Sequence, residues 1–267
     1  MAELVYPPVI AFARALFRCL GLQIEVIGGE HVPRTGGAVM CLNHIGYLDF
    51  ALGGLAALPA KRYVRFMAKD EVFRNRISGP LMRGMKHIPV NREAGAASFR
   101  GALQALKTGE IVGVFPEATI SRSFELKEFK SGAIRLAQAA SVPVLPTVVW
   151  GSQRIWTKGR PKELRRNHVP IRIAVGEQVS IGRGVDRDAG LADVKARMAA
   201  LLATAQASYP ATTPGDEDRW WLPARLGGTA PTLEEATALD VAEVQHRREP
   251  RDRAPPHQRE AGDPDTN

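Results

Sequence analysis

The sequence predicts an α/β domain with a mostly parallel central sheet flanked by helices. Short apolar runs of strand length recur along the chain, and segments with a 3.6-residue apolar period lie between them. Size agrees: 267 residues at 45% hydrophobic content allow one domain of about 200 residues with a real core, plus tails.

The first element is a short amphipathic helix over residues 9–20. Val9, Phe12, Ala13, Leu16, Phe17 and Leu20 share the helical period, while Arg14 and Arg18 fall on the other side. Pro7 and Pro8 suit its start and Gly21 its end. Such a helix is too short to cross a bilayer, but it can lie in the interface or pack on the domain. Strands are expected at 22–27, 38–42, 63–68, 87–90, 111–115, 142–149 and 171–175. Helices are expected at 50–57, at 94–106 (closed by Gly109), at 132–140 and from about 191 to 207. Residues 210–218 read as a polar linker. The adjacent Trp220 and Trp221 need cover, and Leu222, Leu226 and a helical run at 233–244 favour the domain surface over a membrane. From about Arg247 the chain is charged, Pro-rich and without aromatics, which predicts disorder. The organisation expected is therefore an amphipathic membrane-docking helix (1–21), the α/β domain (22–208) and a C-terminal extension (209–267) that is disordered from about 247.

Charge narrows the partners. The net charge is +8, but residues 214–267 hold 7 Lys/Arg against 12 Asp/Glu, a balance of −5 that leaves +13 for the rest. A basic body suits an anionic membrane surface, a phosphorylated substrate or nucleic acid. Nucleic acid fits least, because aromatics are not interleaved with the basic residues. Cys19 and Cys41 make no disulfide framework and read as two buried, reduced thiols. No apolar stretch is long enough to span a bilayer, and Glu3, Arg14 and Arg18 interrupt anything resembling a signal peptide.

Three constellations follow strand ends, where α/β proteins place their sites. The first is Asn43-His44-Ile45-Gly46-Tyr47-Leu48-Asp49. Residues five apart diverge by about 140° on a regular helix, so His44 and Asp49 meet only if the chain turns, which Gly46 permits. A carboxylate on one ring nitrogen then leaves the other free to take a proton from a hydroxyl. The alternatives are an N-capping Asp49 beside a surface His44, or a metal site, for which no third ligand of suitable spacing is evident. The second is Phe115-Pro116-Glu117-Ala118-Thr119-Ile120-Ser121-Arg122: Glu117 suits a glycerol hydroxyl and Arg122 a phosphate, or the segment is a solvated turn. The third runs from Gly84 to Arg92, with Lys69 upstream. As strand-end cations, Lys69, Arg92 and Arg122 would converge with His44 and Glu117 at one sheet edge.

Four blocks in order, NHIGYLD (43–49), GMKHIPVNR (84–92), FPEATIS (115–121) and VPVLP (142–146), resemble those of the glycerolipid acyltransferase family, of the bacterial 1-acylglycerol-3-phosphate acyltransferase type. The resemblance covers roughly residues 22–180. It implies that His44 is a general base oriented by Asp49, that Arg92 and Glu117 bind the acceptor, and that Lys69 sits where relatives carry a phosphate-binding lysine. Thr119 and Arg122 join that acceptor set, while Asn43, Gly84, Pro116 and Pro146 are structural. Two positions depart from the pattern: Ala118 replaces a Gly, and Ile120 replaces an Arg, removing a cation that Arg122 could supply.

The activity implied is transfer of a fatty acyl group from acyl-CoA or acyl carrier protein to the free hydroxyl of 1-acylglycerol-3-phosphate, making phosphatidic acid, at the cytoplasmic face of the membrane as a peripheral protein, with no metal or organic cofactor. Rival readings are a different acceptor (another lysophospholipid, glycerol-3-phosphate or a lyso-aminolipid) and a non-catalytic module for anionic membranes.

Overall fold

The computed structural model describes residues 3–91, 95–210 and 218–253. Seven strands form one sheet in the order β1-β7-β6-β2-β5-β3-β4. They are β1 (Gln23–Ile27), β2 (Ala38–Leu42), β3 (Val64–Lys69), β4 (Ile88–Val90), β5 (Ile111–Val114), β6 (Val144–Trp150) and β7 (Pro170–Val175). Every neighbouring pair is parallel except β6 with β7, so β1 and β7 run against the other five. The mostly parallel sheet is as expected, and each strand lies within two residues of its expected bounds.

Helices cover both faces, which is why β2 and β6 are buried throughout. On one face Val39, Cys41, Val112 and Val148 meet α5 (Gly95–Lys107), α6 (Gly132–Ala140) and α7 (Arg187–Ala207) through Ala102, Leu106, Ile134, Met198 and Leu202. On the other, Met40, Leu42, Leu145 and Ile171 meet α1 (Tyr6–Cys19) and α2 (Asp49–Gly54) through Phe17 and Leu52. Two short helices, α3 (Asp70–Arg74) and α4 (Ser78–Gly84), link β3 to β4.

The N-terminal helix is keyed into the domain at both ends, by Phe17 near its C-terminus and by polar contacts at its start. Tyr6 Oη donates to the Val64 carbonyl at 2.6 Å, and Glu3 pairs with Arg65 at 2.6 Å and Lys86 at 2.7 Å. A Cβ on Gly84 would stand 2.6 Å from Val5 Cγ2, so this glycine lets the entering chain close on the end of α4. The expected apolar face of α1 is divided: Phe17 is buried, whereas Phe12 and Leu16 are exposed. No described helix is long and apolar enough to cross a membrane. Cys41 is buried, but Cys19 ends α1 and is exposed, which corrects the expectation of two buried thiols.

The C-terminal part returns to the domain. Trp221 is buried against Tyr209 and Trp150, with ring centroids 5.4 and 6.5 Å away, and Gln153 Nε2 donates to its carbonyl at 3.1 Å. Beyond it, α8 (Leu233–Arg253) continues past Arg247, where disorder was expected; the remainder of that expected tail, 254–267, lies outside the described residues. Thr232 and Glu235 start α8 reciprocally: Thr232 N donates to Glu235 Oε2 at 2.8 Å and Glu235 N to Thr232 Oγ1 at 3.2 Å.

Candidate active site

The central strand β2 delivers Asn43 and His44 at its carboxyl end, between the ends of β5 and β6. Asn43 acts as a side-chain extension of the ladder. Its Nδ2 donates to the Val149 carbonyl at 3.0 Å and its Oδ1 accepts from Val149 N at 2.7 Å. The strand end is thereby fixed to β6 just where its backbone turns away.

The turn brings Asp49 back to His44. Asp49 Oδ2 accepts from Ile45 N at 2.7 Å and Gly46 N at 2.8 Å, and lies 3.0 Å from His44 Nδ1. That oxygen can only accept, so Nδ1 carries the proton and Nε2 is left as the acceptor. Ser152 Oγ donates to the other oxygen, Oδ1, at 2.5 Å. Asp49 is fully buried, and these four donors offset the cost of that burial. Gly46 serves by its small size: a Cβ there would lie 3.0 Å from Ser152 Oγ and 3.1 Å from the Trp156 carbonyl. Tyr47 N donates to that carbonyl at 2.9 Å, and Thr157 Oγ1 donates to the Ile45 carbonyl at 2.6 Å. The His44 ring stacks on Phe115, with centroids 4.3 Å apart, and is partly exposed.

The loop after β5 lies alongside. Ala118 N donates to the Phe115 carbonyl at 3.0 Å, closing a turn in which Ala118 holds φ 62°. This is the position where the resemblance implies Gly. Glu117 is 4% exposed and faces inward: Oε1 accepts from His44 N at 2.8 Å and Oε2 from Lys127 N at 3.0 Å. Burial pushes its pKa up to about 7, against the lowering effect of those two amides. Expected to hold an acceptor hydroxyl, Glu117 here braces two loops. Pro116 is buried, and its carbonyl accepts from Lys130 N at 2.8 Å.

Other expected site residues take varied positions. Ile120 is buried, so the replaced arginine position points into the apolar interior. Thr119 Oγ1 accepts from Lys127 Nζ at 2.8 Å. Arg122 is paired with Asp240 and Glu243 of α8. Lys69 ends β3 opposite Val90 of β4 and is exposed. Arg92 lies outside the described residues. Pro146 sits inside β6 opposite Cys41; pairing with the β7 side passes from Thr147↔Val175 to Val144↔Val179, so the partner chain bulges by one residue around it. Sequence reasoning missed Ser152, Thr157, Lys127 and Lys158, although Ser152 follows a strand end as the other site residues do. Among the described residues, no group of three or more His, Cys, Asp or Glu is arranged to hold a metal ion.

Comparisons with known proteins identify relatives of the chain and of its fold. A family model described as Acyltransferase matches residues 23–150. A 1-acyl-sn-glycerol-3-phosphate acyltransferase of Bacillus subtilis is 33% identical over 156 residues, covering 56% of this chain and 76% of that protein. A protein of the same name from Limnanthes douglasii is 29% identical over 158 residues, 57% of this chain and 53% of that protein. The crystal structure of the 1-acyl-sn-glycerophosphate acyltransferase PlsC from Thermotoga maritima has the same fold, with a TM-score of 0.66 at 22% identity over 77% of this chain and 81% of that one.

Proposed function

The chain belongs to the acyltransferase family, and on that premise we propose that it moves a fatty acyl group from a thioester donor to the free hydroxyl of 1-acylglycerol-3-phosphate, forming phosphatidic acid. The observation that carries the chemistry is the His44–Asp49 pair at the end of β2. With Nδ1 engaged by Asp49, His44 Nε2 takes the acceptor's hydroxyl proton as its oxygen attacks the thioester carbonyl carbon. The tetrahedral intermediate collapses, the C–S bond breaks, and the proton passes from the imidazolium to the departing thiol of coenzyme A or acyl carrier protein. No covalent acyl-enzyme is required.

The acceptor assignment rests on the names of the relatives from Bacillus subtilis and Limnanthes douglasii and on the cations near the site. Arg92, from the second sequence block, and Lys69 and Arg122 are the candidates for its phosphate. One observation favours a different acceptor as a second reading: position 120 carries a buried Ile in place of a cation. The protein works at the cytoplasmic face of an anionic membrane as a peripheral protein, a location that the +13 balance over residues 1–213 and the exposed Phe12 and Leu16 support.

A thiol-release assay with acyl-CoA and a panel of acceptors tests the assignment. Release that depends on 1-acylglycerol-3-phosphate is expected. Release with another lysolipid alone would transfer the assignment to that lipid, and release with none would end the reading.

A further inference from the structure

Three cations converge beside the candidate active site and are paired with two carboxylates from within the chain. Asp240 and Glu243 lie three residues apart on one face of α8. Asp240 Oδ2 takes Lys127 Nζ at 2.5 Å, and Oδ1 takes Lys158 Nζ at 2.9 Å and Arg122 Nε at 3.4 Å. Glu243 Oε2 takes Arg122 Nη2 and Lys158 Nζ, both at 2.7 Å. All five side chains are largely shielded, with 16–25% exposed. The cluster also touches the catalytic loops: Lys127 Nζ bonds Thr119 Oγ1, and Lys127 N bonds the carboxylate that holds His44 N.

We propose that Lys127 and Lys158 join Arg122 in binding the phosphate of the acceptor, and that Asp240 and Glu243 are the internal occupants of these three cations, displaced when the acceptor enters. This rests on the acceptor reading above. A phosphate monoester carries close to two negative charges and three acceptor oxygens, which matches what the two carboxylates supply. The occupants are held in a way that permits exchange. Of the α8 side chains described, Ala236 alone is buried, while Leu233, Leu239, Val241 and Val244 are exposed. Little apolar burial opposes release of α8, so the ion-pair network is its chief hold, and those are the contacts an entering phosphate would replace. The segment also lies outside residues 23–150, the part matched by the family model.

Hydrogen exchange of the full chain tests this without altering it. A short-chain 1-acylglycerol-3-phosphate should speed amide exchange in residues 236–245 several-fold, and the corresponding monoacylglycerol should not. No change, slower exchange, an equal response to the monoacylglycerol, or a response to coenzyme A alone would overturn the proposal. In the full-chain double variant Asp240→Asn with Glu243→Gln, acceptor KM should fall about tenfold with kcat undiminished; an unchanged or raised KM would count against it. Thiol release measured in the same wild-type samples separates the two readings. Turnover of the phosphate-bearing acceptor without a response in α8 removes this inference alone, and absence of turnover with that acceptor removes the functional reading.

Discussion

Ser152 donates from Oγ to Asp49 Oδ1 at 2.5 Å across 103 positions of sequence. The hydroxyl is fully buried and stands on the carboxylate's far side from His44, so it fixes the plane in which Asp49 meets the imidazole. Ser152→Ala should lower kcat about tenfold and leave both KM values near wild type, since the change disturbs orientation and not ligand contact. Steady-state thiol release reads this directly; a KM effect at unchanged kcat would contradict it.

His44→Ala should cost about 10²–10⁴ in kcat through loss of the general base. Asp49→Asn should fall in the same range. Its amide oxygen can still accept from Ile45 N and Gly46 N while its NH2 faces Ser152, but the charge opposite the imidazolium is gone. Near wild-type turnover in either variant would remove the mechanism.

Arg92→Ala should act on the acceptor. Loss of a charge-assisted phosphate contact worth about 1.5–3 kcal/mol corresponds to a rise in acceptor KM of roughly 10- to 150-fold, with donor KM unmoved. A shift confined to donor saturation would place Arg92 on the other substrate.

Ala118→Gly should stabilise the protein by up to about 1 kcal/mol. The residue holds φ 62°, a conformation costly for any residue with a Cβ, and part of the relief is offset by the greater freedom of Gly in the unfolded chain. Urea denaturation compares the two forms; a less stable glycine variant would show that the turn is not strained.

Stability should respond to pH through two buried groups with opposite signs. Burial raises Glu117 to about 7, so stability falls as pH rises from about 4.5 to 7, where the unfolded chain has released a proton the fold retains. Burial, aided by Arg65, lowers His87 to about 4; its Nδ1 accepts from Phe66 N at 2.9 Å, and stability is lost as pH falls from 6.5 to 4. Glu117→Gln removes the first effect. Its stability should therefore climb with pH between 4 and 6.5 by on the order of 3 kcal/mol, where the wild type is flatter. Equal slopes in the two proteins would refute the assignment.

Much of this was legible in sequence because the evidence was local. The apolar runs marked β1–β7, and the HxxxxD spacing with a small residue at 46 announced a turn that returns Asp49 to His44. Gly46 also leaves room beside Ser152 and the Trp156 carbonyl, where a Cβ would be crowded, a reason that only the packed structure supplies. The helices α3 and α4, of five and seven residues, are too short for a periodic pattern to declare itself. Lys127 and Lys158 carry no motif, and their partners Asp240 and Glu243 are about a hundred residues away from Lys127, so tertiary structure alone brings them together. The third block points Glu117 at a ligand, but the amides of His44 and Lys127, which lie 73 and 10 positions away, draw it inward, a pairing that only the folded chain displays.

The clip between Asn43 and Val149 also sets an order of events during synthesis. A nascent chain that has emerged only through Arg122 contains His44, Asp49 and Glu117. It does not yet contain Val149, Ser152 or Thr157, the groups that fix Asn43, Asp49 and Ile45. Translation delivers β2 and β5 well before β6, and the pairing that frames the site spans 106 positions. The reactive imidazole is thus oriented only after the ribosome has supplied β6 and the turn that follows it, one strand before the sheet is complete.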